Sequence, residues 1–187
     1  TKKEEKLRKK FYENKEITFQ YAEWTVEKKF KLKKGGAFYV VSPWALTWDD
    51  ENYYLVAYDS QSGQVRHYRV DKMQDLSVTD LPREGDGRDF DPAAYAGSLF
   101  GMFHGELETV RLRFDNSLIG VVADRFGREV FLRPDGEAHF VVTAKVAVSP
   151  QFLSWVFGFG GQAEILSPEP VRQQFLDLIT ETEVNYK

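Results

Sequence analysis

Five short runs of alternating apolar residues occupy most of positions 17–73 of this 187-residue chain, and the gaps between them are too brief for crossovers. ITFQYAE (17–23) alternates Ile17, Phe19 and Tyr21 with polar neighbours, and VEKKFKLK (26–33) sets Phe30 and Leu32 two apart. AFYVVSPWALTW (37–48), YYLVAYD (53–59) and QVRHYRVDKM (64–73) follow, after Gly35-Gly36, Asp49–Asn52 and Ser60–Gly63. Parallel strands need a dozen or more connecting residues, whereas turns this short make antiparallel hairpins. Ahead of them, KKEEKLRKKFYENKE is a polar helix with Leu7 and Phe11 on one side, a face too narrow to stand alone. A helix and five short strands imply a small Sm- or SH3-like barrel, because closure removes exposed strand edges.

The second half has a different rhythm. LPREGDGRDFDP (81–92) reads as a linker, and Asp91 can cap a short helix beginning at Pro92. ELETVRLRF (106–114) alternates as a strand, and Asp115 or Asn116 caps SLIGVVADRF as a helix. REVFLRP and AHFVVTAKVAV flank a Pro134-Asp135-Gly136 turn, Ser149-Pro150 caps QFLSWVFGF, and QAEIL is a further strand. Ser167 then caps a final helix starting at Pro168. This order is the βαββαβ of a ferredoxin-like domain with an added C-terminal helix. The expected class is therefore α+β, organised as a barrel over 1–80, a linker with a short helix over 81–104, and a ferredoxin-like domain over 105–187.

Composition narrows the chemistry. With no cysteine, disulfides, thiolate catalysis and cysteine-based zinc sites are excluded, and a reducing, cytoplasmic setting is expected. No run of about eighteen apolar residues is present, so no membrane association is expected. Net charge is −4, yet residues 1–34 hold 12 Lys or Arg against 6 Asp or Glu, so any anion site must be a local patch. His67, His104 and His139 are far apart and form no metal-ligand pair, and no GxSxG elbow exists. Gly158-Phe159-Gly160-Gly161 follows a helix instead of preceding one, which makes it a helix stop and not a phosphate cradle. Neither catalysis, a metal nor a cofactor is expected.

The densest chemistry sits in QVRHYRVDKM. Alternation places Arg66, Tyr68, Val70 and Lys72 on one face and His67, Arg69, Asp71 and Met73 on the other. One reading is an edge strand guarded by charge, with Arg69 and Asp71 paired locally. The other is a ligand groove, in which arginines meet phosphate and a tyrosine offers a stacking face.

These residues resemble the WYL domain of bacterial regulators. VSPWALTWDDENYYLVAYD (41–59) followed by QVRHYRVDKM carries the likeness, with Tyr53-Tyr54-Leu55 in place of the naming triplet and Lys72 where arginine is common. Asp124-Arg125-Phe126-Gly127, Trp155 and Leu166-Ser167-Pro168-Glu169 resemble the WCX extension that follows such domains. The resemblance implies an Sm-like ligand sensor for single-stranded nucleic acid or nucleotides, with an extension that forms a homodimer. It also implies a preceding helix-turn-helix domain, so promoter DNA is expected to be read only through a part missing from this chain.

The ligand set carried over by position is Arg66, Tyr68, Arg69 and Lys72, with Ser42, His67 and Tyr53 beside them. Tyr54 and Leu55 suit core packing as well. Arg125 and Arg128 are expected to be solvated, with reach across a dimer as the alternative, and Trp44, Trp48 and Trp155 are expected in a core or interface. The competing function is a protein–protein interaction module with no anion ligand.

Overall fold

The computed structural model describes residues 2–11, 13–85 and 90–187, without the side chains of residues 4, 6, 10 and 11. Two sequence expectations, Phe11 as a helix anchor and the middle of the 81–92 linker, lie outside the described residues. The chain divides into two compact units, Thr1–Ala93 and Ala94–Lys187.

The first unit opens with helix α1 (Lys2–Phe11), whose Leu7 is 1% exposed within the unit's core. Strands β1 (Lys15–Trp24), β2 (Phe30–Leu32), β3 (Tyr39–Asp49), β4 (Asn52–Asp59), β5 (Gln64–Arg69) and β6 (Met73–Pro82) follow. All pairings are antiparallel, in the order β2-β1-β3-β4-β5, with β6 on the other edge of β1. Thr18 shows the arrangement, pairing with Val40 of β3 and with Ser77 of β6.

Strands β5 and β6 therefore end the path from β6 through β1, β3 and β4 to β5, yet only the 3-10 turn Val70–Lys72 joins them. Laid flat, four strand spacings would separate them by about 19 Å. A 3-10 turn of this length advances about 8 Å. The sheet must curl. Ile17, Phe19, Val41, Leu55, Ala57, Tyr68, Val70, Met73 and Leu76 form the core that the curl encloses.

Two differences from the sequence reading have local causes. The run QVRHYRVDKM is not one strand, because its last residues form the 3-10 turn and the start of β6. Strand β6 itself carries no clean alternation: Asp75 has φ 48°, and the β1–β6 register shifts twice. Both breaks disrupt the period-two signal that a strand shows in sequence.

The division between the units falls within α2 (Pro92–Ser98), where Asp91 Oδ1 accepts from the amide of Ala93 at 2.9 Å. The second unit contains β7 (Glu106–Asp115), α3 (Ile119–Phe126), β8 (Phe131–Asp135), β9 (His139–Val148), α4 (Pro150–Phe157), β10 (Ala163–Ser167) and α5 (Glu169–Val184). Its four strands pair antiparallel in the order β10-β7-β9-β8. Asp115 caps the turn before α3, and Ser149 Oγ accepts from the amide of Phe152 at 3.2 Å to cap α4. Ser167 ends β10, and Pro168 occupies the α5 cap position, one residue later than the sequence implies.

All three long helices pack on one face of this sheet. Val110, Leu112 and Phe114 of β7 and Phe140, Val142 and Val146 of β9 meet Val122, Phe152, Val156 and Val171 from the helices. The chain is thus α+β, with a curled antiparallel sheet and a second, helix-backed one. Among the described residues, no helix is long and apolar enough to cross a membrane.

Phe114 is fully buried, stacked on Phe140 at 5.7 Å and met edge-on by Trp155 and Phe159. Phe114→Ala leaves a ring-sized void and should cost about 3–5 kcal/mol in urea denaturation. A loss below about 1 kcal/mol would contradict this packing.

Candidate functional site

Alternation along β5 decides where its charges go. Leu55 pairs with Tyr68, and Ala57 with Arg66, so these two β5 residues share the enclosed face of the curl. His67 and Arg69 pair with Val56 and Tyr54 and point to the opposite face. Lys72 lies beyond the strand, on the 3-10 turn. The structure therefore separates Arg66 from Arg69 and does not bring the three cations to one surface.

On the enclosed face, Tyr68 is 6% exposed and belongs to a four-ring cluster. Its ring meets Phe19 at 5.1 Å, Tyr21 at 5.6 Å and Tyr39 at 5.8 Å, each edge-on, while Phe19 and Tyr39 stack at 5.5 Å. Buried edges of this kind leave Tyr68 no open ring face for a base. Its phenol is pushed up to about 12, first by burial and then by Asp59, with Arg66 opposing. Burial also raises Tyr39, and Arg66 lowers it. Among the described residues neither hydroxyl has a hydrogen-bond partner.

Two cations lie near these rings, Lys34 over Tyr39 and Arg66 close enough to act on both phenols. Lys34 Nζ sits 4.3 Å from the centroid of the Tyr39 ring, held there by a left-handed turn in which Lys34 and Gly35 have φ of 52° and 61°. Gln20 Nε2 fixes that turn by donating to the carbonyl of Gly36 at 2.7 Å. Arg66 is oriented from its Nε, which donates to Ser62 Oγ at 3.2 Å and lies 3.3 Å from Asp59 Oδ2. Neither Nη group makes a hydrogen bond among the described residues. An Arg clasped at Nε presents its remaining edge in the orientation a phosphate accepts.

The opposite face is more self-contained. Arg69 grips Asp71 with two hydrogen bonds, Nε to Oδ1 at 3.1 Å and Nη2 to Oδ2 at 2.9 Å. Its backbone amide donates to the Tyr21 hydroxyl at 3.0 Å, tying the end of β5 to β1. His67 lies edge-on to Tyr54 at 6.0 Å. Lys3 Nζ donates to the carbonyl of Asp71, so α1 closes over the turn.

Ser42 is 1% exposed, and its Oγ accepts from the amide of Glu84 at 2.7 Å. Arg83 and Trp44 reinforce that clasp by donating to the carbonyls of Pro43 and Glu84. Tyr53 is half-buried beside Trp48 at 4.7 Å. Of the tryptophans, Trp155 packs on the second core and Trp44 stacks on Tyr58, but Trp48 is 58% exposed and not a core residue. Arg125 is not solvated as the sequence suggests: it donates to the carbonyl of Leu99 and lies 3.8 Å over the Phe100 ring. Arg128 is exposed.

Sequence reasoning overlooked Tyr39, Tyr21 and Lys34. Tyr39 and Tyr21 lie at alternate positions in runs already read as strands, a signal that was available; their convergence with Tyr68 depends on the curl. Lys34 carried no signal beyond its place in a lysine-rich stretch.

Comparison with known proteins gives two domains. The WYL domain matches residues 5–78 and the WCX domain residues 106–182. Among solved structures, the chain is similar to proteasome accessory factor B/C (PafBC) of Arthrobacter aurescens, at 19% identity over 100% of this chain and 28% of that one, with a TM-score of 0.42. It is also similar to a CRISPR Cas-related protein, at 15% identity over 99% of this chain and 51% of that one, with a TM-score of 0.54, a likeness of fold alone. The chain thus spans about half or less of the length of these structures. No curated protein matches it.

The Arg69–Asp71 pair has a pH signature. The hydrogen bonds from Arg69 are the main cause holding the Asp71 carboxyl below its ordinary value. A depressed carboxyl stabilises the fold above the unfolded value and loses that contribution as pH falls through the folded one. Both side chains are partly solvated, so Arg69→Gln should cost only about 0.5 kcal/mol at pH 7. In urea titrations that gap should close below about pH 4; a gap that widens toward acid would contradict it.

Proposed function

We infer, from a chain that belongs to the WYL–WCX family, that this is the ligand-sensing and dimerisation portion of a bacterial transcriptional regulator. Its ligand bears phosphate, as a single-stranded oligonucleotide or a nucleotide, and binds at the mouth of the curled sheet. Arg66 and Lys34 neutralise the phosphate, and the Tyr39 and Tyr68 hydroxyls donate to it. The observation that carries this reading is the pair of tyrosine hydroxyls without partners, beside an Arg66 whose Nη groups make no hydrogen bond among the described residues. Both hydroxyls reach solvent and are not tied to a protein acceptor among the described residues, so they are free to donate to a phosphate that arrives there.

Within this reading, Arg69 and Ser42 serve the fold, because each is committed to a neighbour that holds the sheet closed. His67 points to the opposite face, Lys72 lies on the turn and Tyr53 packs beside Trp48, so none of the three is placed here with the groups that hold the phosphate. We read the first sheet as an Sm-like barrel and the second unit as ferredoxin-like, a reading supported by its βαββαβ order and its strand order β10-β7-β9-β8. The second unit forms the homodimer, and a preceding domain of the longer regulator reads promoter DNA. Ligand binding alters regulation only if the two dimer states bind it with different affinity. The protein is a sensor and not an enzyme.

A second reading has its own support. Among the described residues β5 pairs with β4 alone, and Arg69 is spent on Asp71, as expected for a guarded edge in an interaction module.

Anisotropy of a labelled single-stranded pentanucleotide at 50 and 200 mM salt separates the two. Two phosphate contacts give a log–log slope of about −1.4, a weakening of about sevenfold over that range. Arg66→Gln should weaken binding about tenfold and flatten the slope, while Arg69→Gln should change affinity less than twofold. No binding, or equal affinity for wild type and Arg66→Gln, would favour the guarded edge.

A further inference from the structure

Helices cover one face of the second unit's sheet, and the other face carries an unspent set of cations. Alternation sends Val110, Leu112 and Phe114 of β7 to the helices, so Thr109, Arg111 and Arg113 face away. Register then fixes their neighbours. Arg113 lies beside Val141 of β9, which lies beside Arg133 of β8. One rung along, Arg111 lies beside Thr143, which lies beside Phe131, with Ser167 of β10 on the far side of Arg111. On the next rung, Thr109 lies beside Lys145.

These cations differ sharply in their commitments. Arg113 sits among charged neighbours: Nε lies 3.2 Å from Asp135 Oδ2 without the geometry of a hydrogen bond, Nη1 lies 3.8 Å from Glu164 Oε2, and Nη2 contacts His139 Nδ1 at 3.3 Å. Glu164 and Asp135 both gather at that end of the face. Arg111 is half-buried, and Arg133 and Lys145 are exposed. None of the three has an ion-pair or hydrogen-bond partner among the described residues. A half-buried guanidinium usually finds a partner, since its five donors lose water on burial. Phe131, on the same rung as Arg111, is 67% exposed.

We propose that this helix-free face binds the backbone of single-stranded nucleic acid, through Arg111, Arg133 and Lys145, with Phe131 stacking on a base. Strand spacing and rise place each of these three Cα atoms about 8–12 Å from the next, so a lone phosphate reaches only some of them and an extended phosphodiester reaches all. Thr143 lies among these residues, with Thr109 beside Lys145 and Ser167 beside Arg111, and their hydroxyls can donate to backbone oxygens. A lipid surface would meet only Phe131 and Leu107 as large exposed apolar side chains here, whereas a strand with bases uses both the ring and the charges. The site is distinct from the mouth of the curled sheet and does not depend on the reading given to that mouth.

The test uses the full chain and a labelled single-stranded 15-mer. In Arg111→Gln/Arg133→Gln/Lys145→Gln, affinity at 100 mM salt should fall at least tenfold, and the log–log salt slope should lose about 2. Phe131→Ala should weaken binding about fivefold or more. Lys145→Gln alone changes an exposed position, so a threefold loss there tests the site even if the triple variant folds poorly. Unchanged 15-mer binding in the Lys145→Gln and Phe131→Ala variants overturns the proposal. So does a stronger effect of the triple variant on vesicles of anionic phospholipid than on the 15-mer. If Arg66→Gln leaves pentanucleotide binding intact while the triple variant loses the 15-mer, the mouth reading fails and this one stands.

Discussion

A three-residue turn governs the first unit. Val70–Lys72 must connect the two ends of a five-strand path, and no flat sheet allows that. The curl follows from this shortage of chain, and the aromatic cluster follows from the curl. Phe19 and Tyr21 from β1, Tyr39 from β3 and Tyr68 from β5 come from three strands, yet all four rings lie within 6.2 Å of one another. The amide of Arg69 then seals the closure by donating to Tyr21 across the gap that ladder bonds do not fill. That hydroxyl is partly buried, so burial raises its pKa while the amide bond lowers it.

Closure also sorts charge by purpose. A strand sends consecutive side chains to opposite faces, so a basic run along β5 cannot act as one cluster. Arg69 falls outside and pairs with Asp71, stabilising the turn on which the curl depends. Arg66 falls inside the mouth, beside phenols whose ionisation it favours. Two arginines three residues apart therefore stand in different settings, one paired with Asp71 at the turn and the other beside the phenols of the enclosed face.

Much of this was legible in the sequence, for identifiable reasons. Turns too short for crossovers dictate antiparallel pairing, and Asp91, Asp115 and Ser149 announce helix starts because a cap is a local bond. The pairing of Arg69 with Asp71 was visible too, since an arginine can reach a carboxylate two residues on whether the chain continues as a strand or turns, as it does here. Strand β6 was not legible, because bulges and the left-handed Asp75 erase its alternation. Nor was the company of Tyr68, which comes from positions 19, 21 and 39, nor the inward turn of Arg125 onto Phe100. Local rules reach caps and turns, whereas sites assembled from distant strands need the closure itself.

The most direct test of the ligand mouth is a fluorine NMR titration of the protein labelled with 3-fluorotyrosine, assigned by Tyr→Phe variants. On adding a single-stranded pentanucleotide, the resonances of Tyr39 and Tyr68 should shift together and saturate, while those of Tyr54 and Tyr58 on the opposite face stay in place. Movement confined to Tyr54 and Tyr58, with Tyr39 and Tyr68 unchanged, would place the ligand on the other side of the sheet and contradict the account.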